Sequence, residues 1–123
     1  MEFTQLIEKA RGVLGPRQLS QDTTAGSVAT ALLTCGGNIY LGVCIDTPCG
    51  MGFCAEHAAI AAMVTAGEHK IQKIVAVGRS GILPPCGRCR EFIRQIHDGN
   101  MDTQVMVADG VVVTIRDLLP HAY

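Results

Sequence analysis

Two short motifs combine residue types that bind metal ions and transfer protons. The first is Cys54-Ala55-Glu56-His57, and the second is Pro85-Cys86-Gly87-Arg88-Cys89. Two cysteines separated by two residues can bind one zinc ion through both sulfurs, and Cys54 supplies a third sulfur. Three protein ligands leave one tetrahedral position for water, which is the arrangement of catalytic zinc sites.

Glu56 follows Cys54 by two residues, and this spacing predicts a second role. A helical side chain leans back toward the start of its helix, so the Glu56 carboxylate can approach a metal-bound water without binding the metal. A carboxylate in that position can take a proton from the water and pass it on. We therefore predict a zinc site with Cys54, Cys86 and Cys89 as ligands and Glu56 as the catalytic residue.

The elements that must position these motifs are two helices, predicted over 54–66 and 86–98. Each follows a predicted strand and a loop. The free N–H groups and the dipole at a helix start stabilise thiolates, the form of cysteine that binds metal. The spacing of apolar residues in the rest of the chain predicts a helix over 3–14 and strands over 28–33, 38–45, 71–77, 103–108 and 111–115.

The order of these elements predicts an α/β fold. We expect a single domain over 1–123, built as a three-layer α/β/α sandwich around a mixed five-stranded sheet. Right-handed crossovers between its parallel strands would bring both motifs to one end of the sheet, where open α/β sheets bind ligands.

Composition narrows the function class. The chain has 123 residues, 48% of them hydrophobic, and a net charge of −1. These values exclude a disordered chain and argue against a nucleic-acid-binding protein, which needs a basic surface. No apolar stretch is long enough to span a membrane, and residues 1–10 do not form a signal peptide. We therefore expect a cytoplasmic protein, in which six cysteines indicate metal binding or chemistry rather than disulfides.

The two motifs and their flanking residues resemble the short, zinc-dependent cytidine deaminase family, and within it most closely the blasticidin S deaminases. Three cysteines, a nearby glutamate and Pro-Cys-x-x-Cys are also the pattern of nucleobase deaminases generally. The resemblance rests on the segments Ser27-Val28-Ala29-Thr30-Ala31-Leu32, Gly42-Val43, Cys54-Ala55-Glu56, Gly81-Ile82-Leu83, Pro85-Cys86-Gly87-Arg88-Cys89-Arg90 and Ile115-Arg116-Asp117-Leu118-Leu119-Pro120.

The resemblance implies a hydrolytic deaminase of a cytosine-type nucleoside or analogue. In such enzymes zinc activates water for attack on C4, the glutamate carries protons to N3 and to the departing amine, and ammonia is released. It also implies a homotetramer with sites completed by neighbouring subunits, and it makes Ala55 and the tail residue Tyr123 candidates for substrate binding.

The region that would bind the sugar departs from the family pattern. Cytidine deaminases typically carry Asn-x-Glu after the second strand, where this chain has Cys44-Ile45-Asp46. Asp46 can still accept a hydrogen bond from a hydroxyl group, but Cys44 is a poor replacement for asparagine. A common phenylalanine before the first strand is replaced by Gly26. A cytosine-nucleoside antibiotic such as blasticidin S, or a modified base, is therefore an alternative substrate.

His57 and Arg90 leave two further questions open. Three thiolates around Zn²⁺ give a negative site, and either residue is a candidate to offset that charge. Cys54-x-x-His57 together with Cys86-x-x-Cys89 is also a complete Cys3His ligand set. In that alternative the protein is a zinc-stabilised binding module without catalysis.

Overall fold

The structure is a computed structural model that describes all residues from Met1 to Tyr123. The helices are α1 (Phe3–Val13), α2 (Ala55–Thr65), α3 (Gly87–Ile96) and α4 (Ile115–Leu118). The strands are β1 (Arg17–Gln18), β2 (Thr24–Thr34), β3 (Ile39–Asp46), β4 (Ile71–Gly78), β5 (Gly81–Leu83), β6 (Gln104–Ala108) and β7 (Val111–Thr114). Short 3-10 turns span Pro48–Gly50 and Asp98–Asp102. None of the helices has the length and apolar character needed to cross a membrane.

The sheet is mixed, as predicted, but it has seven strands rather than five. The five predicted strands pair in the order β3-β2-β4-β6-β7, with β4 and β6 parallel and the other pairs antiparallel. The two additional strands are β1, which pairs with β2, and β5, which pairs with β4. They have two and three residues, too few for a hydrophobic alternation that sequence analysis can detect.

Helices cover both faces of the sheet, which confirms the three-layer architecture. The amphipathic helix α1 packs Phe3, Leu6 and Ala10 against alternate residues of β2 and β4. On the opposite face, α2 and α3 pack Ile60, Met63 and Ile93 against the intervening residues of the same strands. Because α2 and α3 share one face, the two motifs that begin them lie on the same side of the sheet.

Helix α2 lies unusually close to strand β3, and Gly42 permits this approach. A Cβ atom at Gly42 would lie 2.3 Å from the Ala59 nitrogen and 2.6 Å from the Ala55 oxygen. Both contacts are with backbone atoms, which cannot move aside independently of the helix. Gly42 therefore sets the separation between β3 and the first turns of α2, where Glu56 lies.

We expect Gly42→Ala to destabilise the protein by about 1–3 kcal/mol, because the added methyl group overpacks the β3–α2 contact. Urea unfolding will measure the change. The matched control is Gly12→Ala in α1, where a Cβ would meet nothing within 4 Å. Alanine is the better helix former, so the control should be neutral or slightly stabilising. Equal stability of the two variants would contradict a tight contact at Gly42.

Candidate active site

The starts of α2 and α3 bring three cysteines together. Cys54 is the N-cap of α2 and Cys86 is the N-cap of α3, and both have extended backbone conformations. The Cys86 Sγ lies 3.6 Å from the Cys54 Sγ and 3.4 Å from the Cys89 Sγ. All three sulfur atoms lie within 4.8 Å of one another, which defines the three-sulfur cluster.

The dimensions of the three-sulfur cluster fit a zinc ion. Tetrahedral zinc with Zn–S bonds of about 2.3 Å requires sulfur atoms roughly 3.8 Å apart. The observed separations are close to this value, and all six cysteines of the chain are free thiols rather than disulfides. Thiolate sulfur is also a soft ligand that favours zinc. Cys54, Cys86 and Cys89 are thus suited to hold the metal.

Without a cation between them, the thiols of Cys54 and Cys89 resist ionisation, whereas the Cys86 thiol ionises more easily. Burial raises the pKa of Cys54 and of Cys89, and the nearby Glu56 carboxylate adds to both increases. Burial would raise the pKa of Cys86 as well, but the N–H groups of Cys89 and Arg88 stabilise its thiolate and lower its pKa overall. A divalent cation compensates the negative charge that otherwise opposes ionisation of the two buried thiols.

Glu56 lies in the first turn of α2, and its residue is only 4% exposed. Burial raises the pKa of its carboxyl group. The fully buried Thr30 hydroxyl from β2 offsets part of this rise, although it makes no hydrogen bond of good geometry. A buried carboxyl group with a raised pKa beside the three-sulfur cluster can act as a general base and then as a general acid.

Glu56 faces a pocket of about 460 Å³ next to the three-sulfur cluster. A cavity of this size is in the range of small-molecule sites. Nine of its 17 lining residues are hydrophobic. The pocket lies between the first half of β2, the C-terminal end of β3 and the starts of α2 and α3. The pocket's lining residues are Ser27, Val28, Cys44, Ile45, Asp46, Thr47, Gly50, Gly52, Phe53, Cys54, Ala55, Glu56, Ala76, Leu83, Pro84, Cys86 and Arg88.

Three of the four predicted substrate-binding residues line this pocket. Ala55 lies beside Glu56, and Cys44 and Asp46 lie at the end of β3. The buried Cys44 sulfur accepts a hydrogen bond from the Val28 N–H at 3.3 Å and lies 3.2 Å from the Ser27 hydroxyl. Tyr123 does not line the pocket of its own chain, and it is 92% exposed.

His57 and Arg90 lie near the cysteines in different ways. The His57 ring stacks on Phe92 with 4.3 Å between ring centroids, and its Nδ1 lies 3.4 Å from the Cys89 Sγ. Burial lowers the pKa of His57. The Arg90 Nε donates to the Pro85 carbonyl at 2.8 Å, so its guanidinium holds the segment before Cys86 rather than contacting sulfur.

The Cys3His alternative does not match this arrangement. The side chains close enough together to hold one metal ion are the three cysteines, and His57 is not among them. The imidazole is held by its stacking on Phe92, beside Cys89 instead of opposite all three sulfurs.

Sequence analysis missed two residues around Glu56 and the pocket. Thr30 is a hydroxyl residue within the buried, mostly apolar run from Ala29 to Leu33 of β2, and this polar exception was its available signal. Phe53 precedes Cys54 directly and lines the pocket, but a single aromatic residue in a glycine-rich loop carries no recognisable pattern.

The fold and the three-sulfur cluster define a class of protein: a three-layer α/β protein with a three-cysteine site suited to zinc. Residues 6–105 match the cytidine and deoxycytidylate deaminase zinc-binding region, and the chain belongs to this family. This membership confirms the predicted enzyme class, a hydrolytic deaminase, and the predicted zinc cofactor.

Individual relatives agree with the family match. The chain is 32% identical to a cytidine deaminase of Sporosarcina psychrophila over 100 residues, which cover 78% of this chain and 74% of the relative. The cytidine deaminase structure from Burkholderia pseudomallei has a TM-score of 0.79 at 28% identity and covers 100% of both chains. The cytidine deaminase structure from Mycobacterium tuberculosis has a TM-score of 0.82 at 25% identity, covering 100% of this chain and 98% of the other.

Proposed function

We propose that this protein hydrolyses the exocyclic amine of a cytosine-type nucleoside or nucleoside analogue, converting C4–NH2 to a carbonyl and releasing ammonia. The observation that carries the proposal is the position of Glu56, buried at the floor of a pocket that also exposes Cys54 and Cys86. Relatives named as cytidine deaminases support the choice of a cytosine ring.

Residues in and beside the pocket have separate roles in this reaction. Cys54, Cys86 and Cys89 would hold zinc, which when bound supplies Lewis-acid activation of water near neutral pH. Glu56 accepts a proton from the attacking water and delivers it to N3 of the ring. It then takes the proton of the new C4 hydroxyl and passes it to the amine, so that the C4–N bond breaks, the C4 carbonyl forms and ammonia leaves. Its raised pKa suits both directions of transfer.

A second candidate substrate class is a cytosine-nucleoside antibiotic, such as blasticidin S, or a modified base. The observation that favours it is that the buried Cys44 sulfur is already engaged in contacts within the chain. Its sulfur already binds the Val28 N–H and lies against the Ser27 hydroxyl, so it offers no amide to a ribose. Asp46, exposed at the end of β3, then offers a carboxylate in the pocket to a sugar or its replacement.

We further propose that residues 1–123 form one catalytic domain that assembles as a homotetramer in the cytoplasm. Helix α2 leaves the apolar residues Ala61, Ala62 and Val64 exposed, as a subunit interface would require. Tyr123 is exposed and free to reach a neighbouring subunit's pocket. Free thiols throughout the chain suit a reducing compartment.

The test of the function is an ultraviolet assay of the purified, zinc-loaded protein with cytidine, deoxycytidine and blasticidin S. Deamination changes the absorbance of the ring, and ammonia release provides an independent readout. We expect turnover of at least one of the three compounds. If none reacts and no ammonia forms, the proposed substrate class is wrong.

The role of Cys44 can be tested by the ratio of the kcat/KM values for two substrates. The wild-type protein should discriminate between cytidine and 2′,3′-dideoxycytidine by less than about 100-fold in kcat/KM, because a site that depends on a substrate hydroxyl discriminates by about 10⁴ or more. Cys44→Asn should raise the ratio in favour of cytidine by adding an amide. Cys44→Ala is the matched control and should not raise it. A wild-type ratio above 10⁴ would show that the ribose site is intact.

A further inference from the structure

The pocket has a single aromatic wall, Phe53. Every other lining residue is aliphatic, small or polar. Phe53 is 37% exposed, which is high for a large apolar side chain next to a buried catalytic carboxylate. It stacks on no other ring of the chain, since the close ring pairs are His57 with Phe92 and His69 with His97. One side of this ring is therefore free for a ligand.

The backbone around Phe53 is held in place by strand β3. The Ile45 N–H donates to the Phe53 carbonyl at 3.0 Å, and the Phe53 N–H donates to the Ile45 carbonyl at 3.0 Å. Gly52 permits this bridge, because a Cβ at that position would lie 2.2 Å from the Ile45 oxygen. The ring is thus attached to a fixed backbone between the end of β3 and the ligand Cys54, rather than to a loose loop.

The neighbouring segment of β2 cannot offer a second ring. Gly26 has a φ of +86°, and a Cβ there would lie 2.2 Å from the Gly15 oxygen. Ser27 and Val28, which follow it into the pocket, are small or aliphatic. Phe53 is therefore the side chain of this chain that can present a π face to a planar ligand in the pocket.

We propose that Phe53 is a substrate-binding residue against which the pyrimidine ring of the substrate stacks. The inference rests on the proposed function for the identity of the ring. Stacking of a base on an aromatic side chain combines burial of two apolar faces with a favourable electrostatic arrangement, and every nucleobase has such a face. It holds the ring but leaves its polar edge to other groups, so it contributes to binding more than to the chemical step.

The experiment compares KM and kcat of zinc-loaded wild type, Phe53→Ala, Phe53→Tyr and Met51→Ala with the best substrate of the panel above. Phe53→Ala should raise KM by roughly 5- to 150-fold, the range for loss of one stacked base, with kcat changed less. Phe53→Tyr keeps the ring and should restore KM. Met51 is the matched control, because it lies in the same loop, is 77% exposed and does not line the pocket.

Two outcomes would overturn the inference. One is a KM for Phe53→Ala within twofold of the wild type. The other is a rise in KM that accompanies dissociation of the oligomer in size-exclusion chromatography, which would make Phe53 an interface residue.

Calorimetric titration with uridine, a product-like nucleoside, separates this inference from the proposed function. If the wild type binds uridine but deaminates nothing, the proposed function is wrong, and the affinities of the Phe53 variants still decide the stacking. If the wild type deaminates a cytosine compound and the variants match it, the stacking is wrong and the function stands. A wild type that neither binds nor reacts overturns both.

Discussion

Glu56→Gln is expected to lower kcat for the preferred cytosine compound by about 100- to 10,000-fold, the usual contribution of a general acid–base residue. Glutamine has nearly the same shape as glutamate, so the packing of this 4%-exposed residue is retained. It cannot, however, accept a proton from water and return it to the ring. The zinc content should stay at the wild-type level, because the three-sulfur cluster does not include Glu56.

Steady-state kinetics and metal analysis of the same preparation test this expectation together. Glu8→Gln is the matched control, because Glu8 is exposed on α1, which packs on the opposite face of the sheet, and it does not line the pocket. It should leave kcat within about twofold, since a surface substitution away from the site perturbs little. Activity of Glu56→Gln above about a tenth of the wild type would rule out Glu56 as the proton carrier.

The second large effect concerns Cys89, whose residue is fully buried beneath the pocket. Cys89→Ala should reduce zinc from about one ion per chain to nearly none, because two remaining thiols do not complete a zinc site. Tm should fall by about 12–20 °C. A ligand present at a thousandfold its Kd stabilises a protein by about 4 kcal/mol, and each kcal/mol shifts Tm by about 3–5 °C at this chain length.

Two comparisons separate the metal from packing in this experiment. Chelation of the wild type should lower its Tm toward that of Cys89→Ala, and the remaining difference then measures the lost side-chain contacts. Cys35→Ser is the matched cysteine control, because Cys35 is exposed at the β2–β3 hairpin and should change neither zinc content nor Tm. Retention of a full zinc equivalent by Cys89→Ala would show that the metal is bound elsewhere.

Much of the fold was predictable because its signals are local. The helices that begin after Cys54 and Cys86 follow from glycine- and proline-containing loops before them and from glycines after them. Five strands followed from apolar periodicity. The sixth and seventh strands, β1 and β5, were missed because their pairing depends on long neighbours, β2 and β4, that supply the hydrogen bonds.

The metal ligands and Glu56 were also accessible from the sequence, for a related reason. Within each motif, the spacing of two residues from Cys54 to Glu56 or three from Cys86 to Cys89 fits within one helical turn, so local geometry limits where the side chains can lie. The spacing does not, however, predict which groups the neighbouring side chains contact. The sequence placed His57 and Arg90 equally near the cysteines, whereas in the structure His57 contacts Cys89 and Arg90 binds the Pro85 carbonyl.

The sequence by itself therefore determined the class of chemistry, a zinc site with a proton carrier at the starts of two helices. Only the tertiary structure decided the shape and lining of the pocket, including the hydrogen-bonded Cys44 and the aromatic wall at Phe53, and the placement of the buried Thr30 hydroxyl near Glu56. The physical reason is the range of the interactions. Helix starts and the spacing within each motif depend on neighbours along the chain. The meeting of Cys54 with Cys86 depends on the packing of α2 and α3, and the pocket depends on how closely β2, β3 and α2 pack across it.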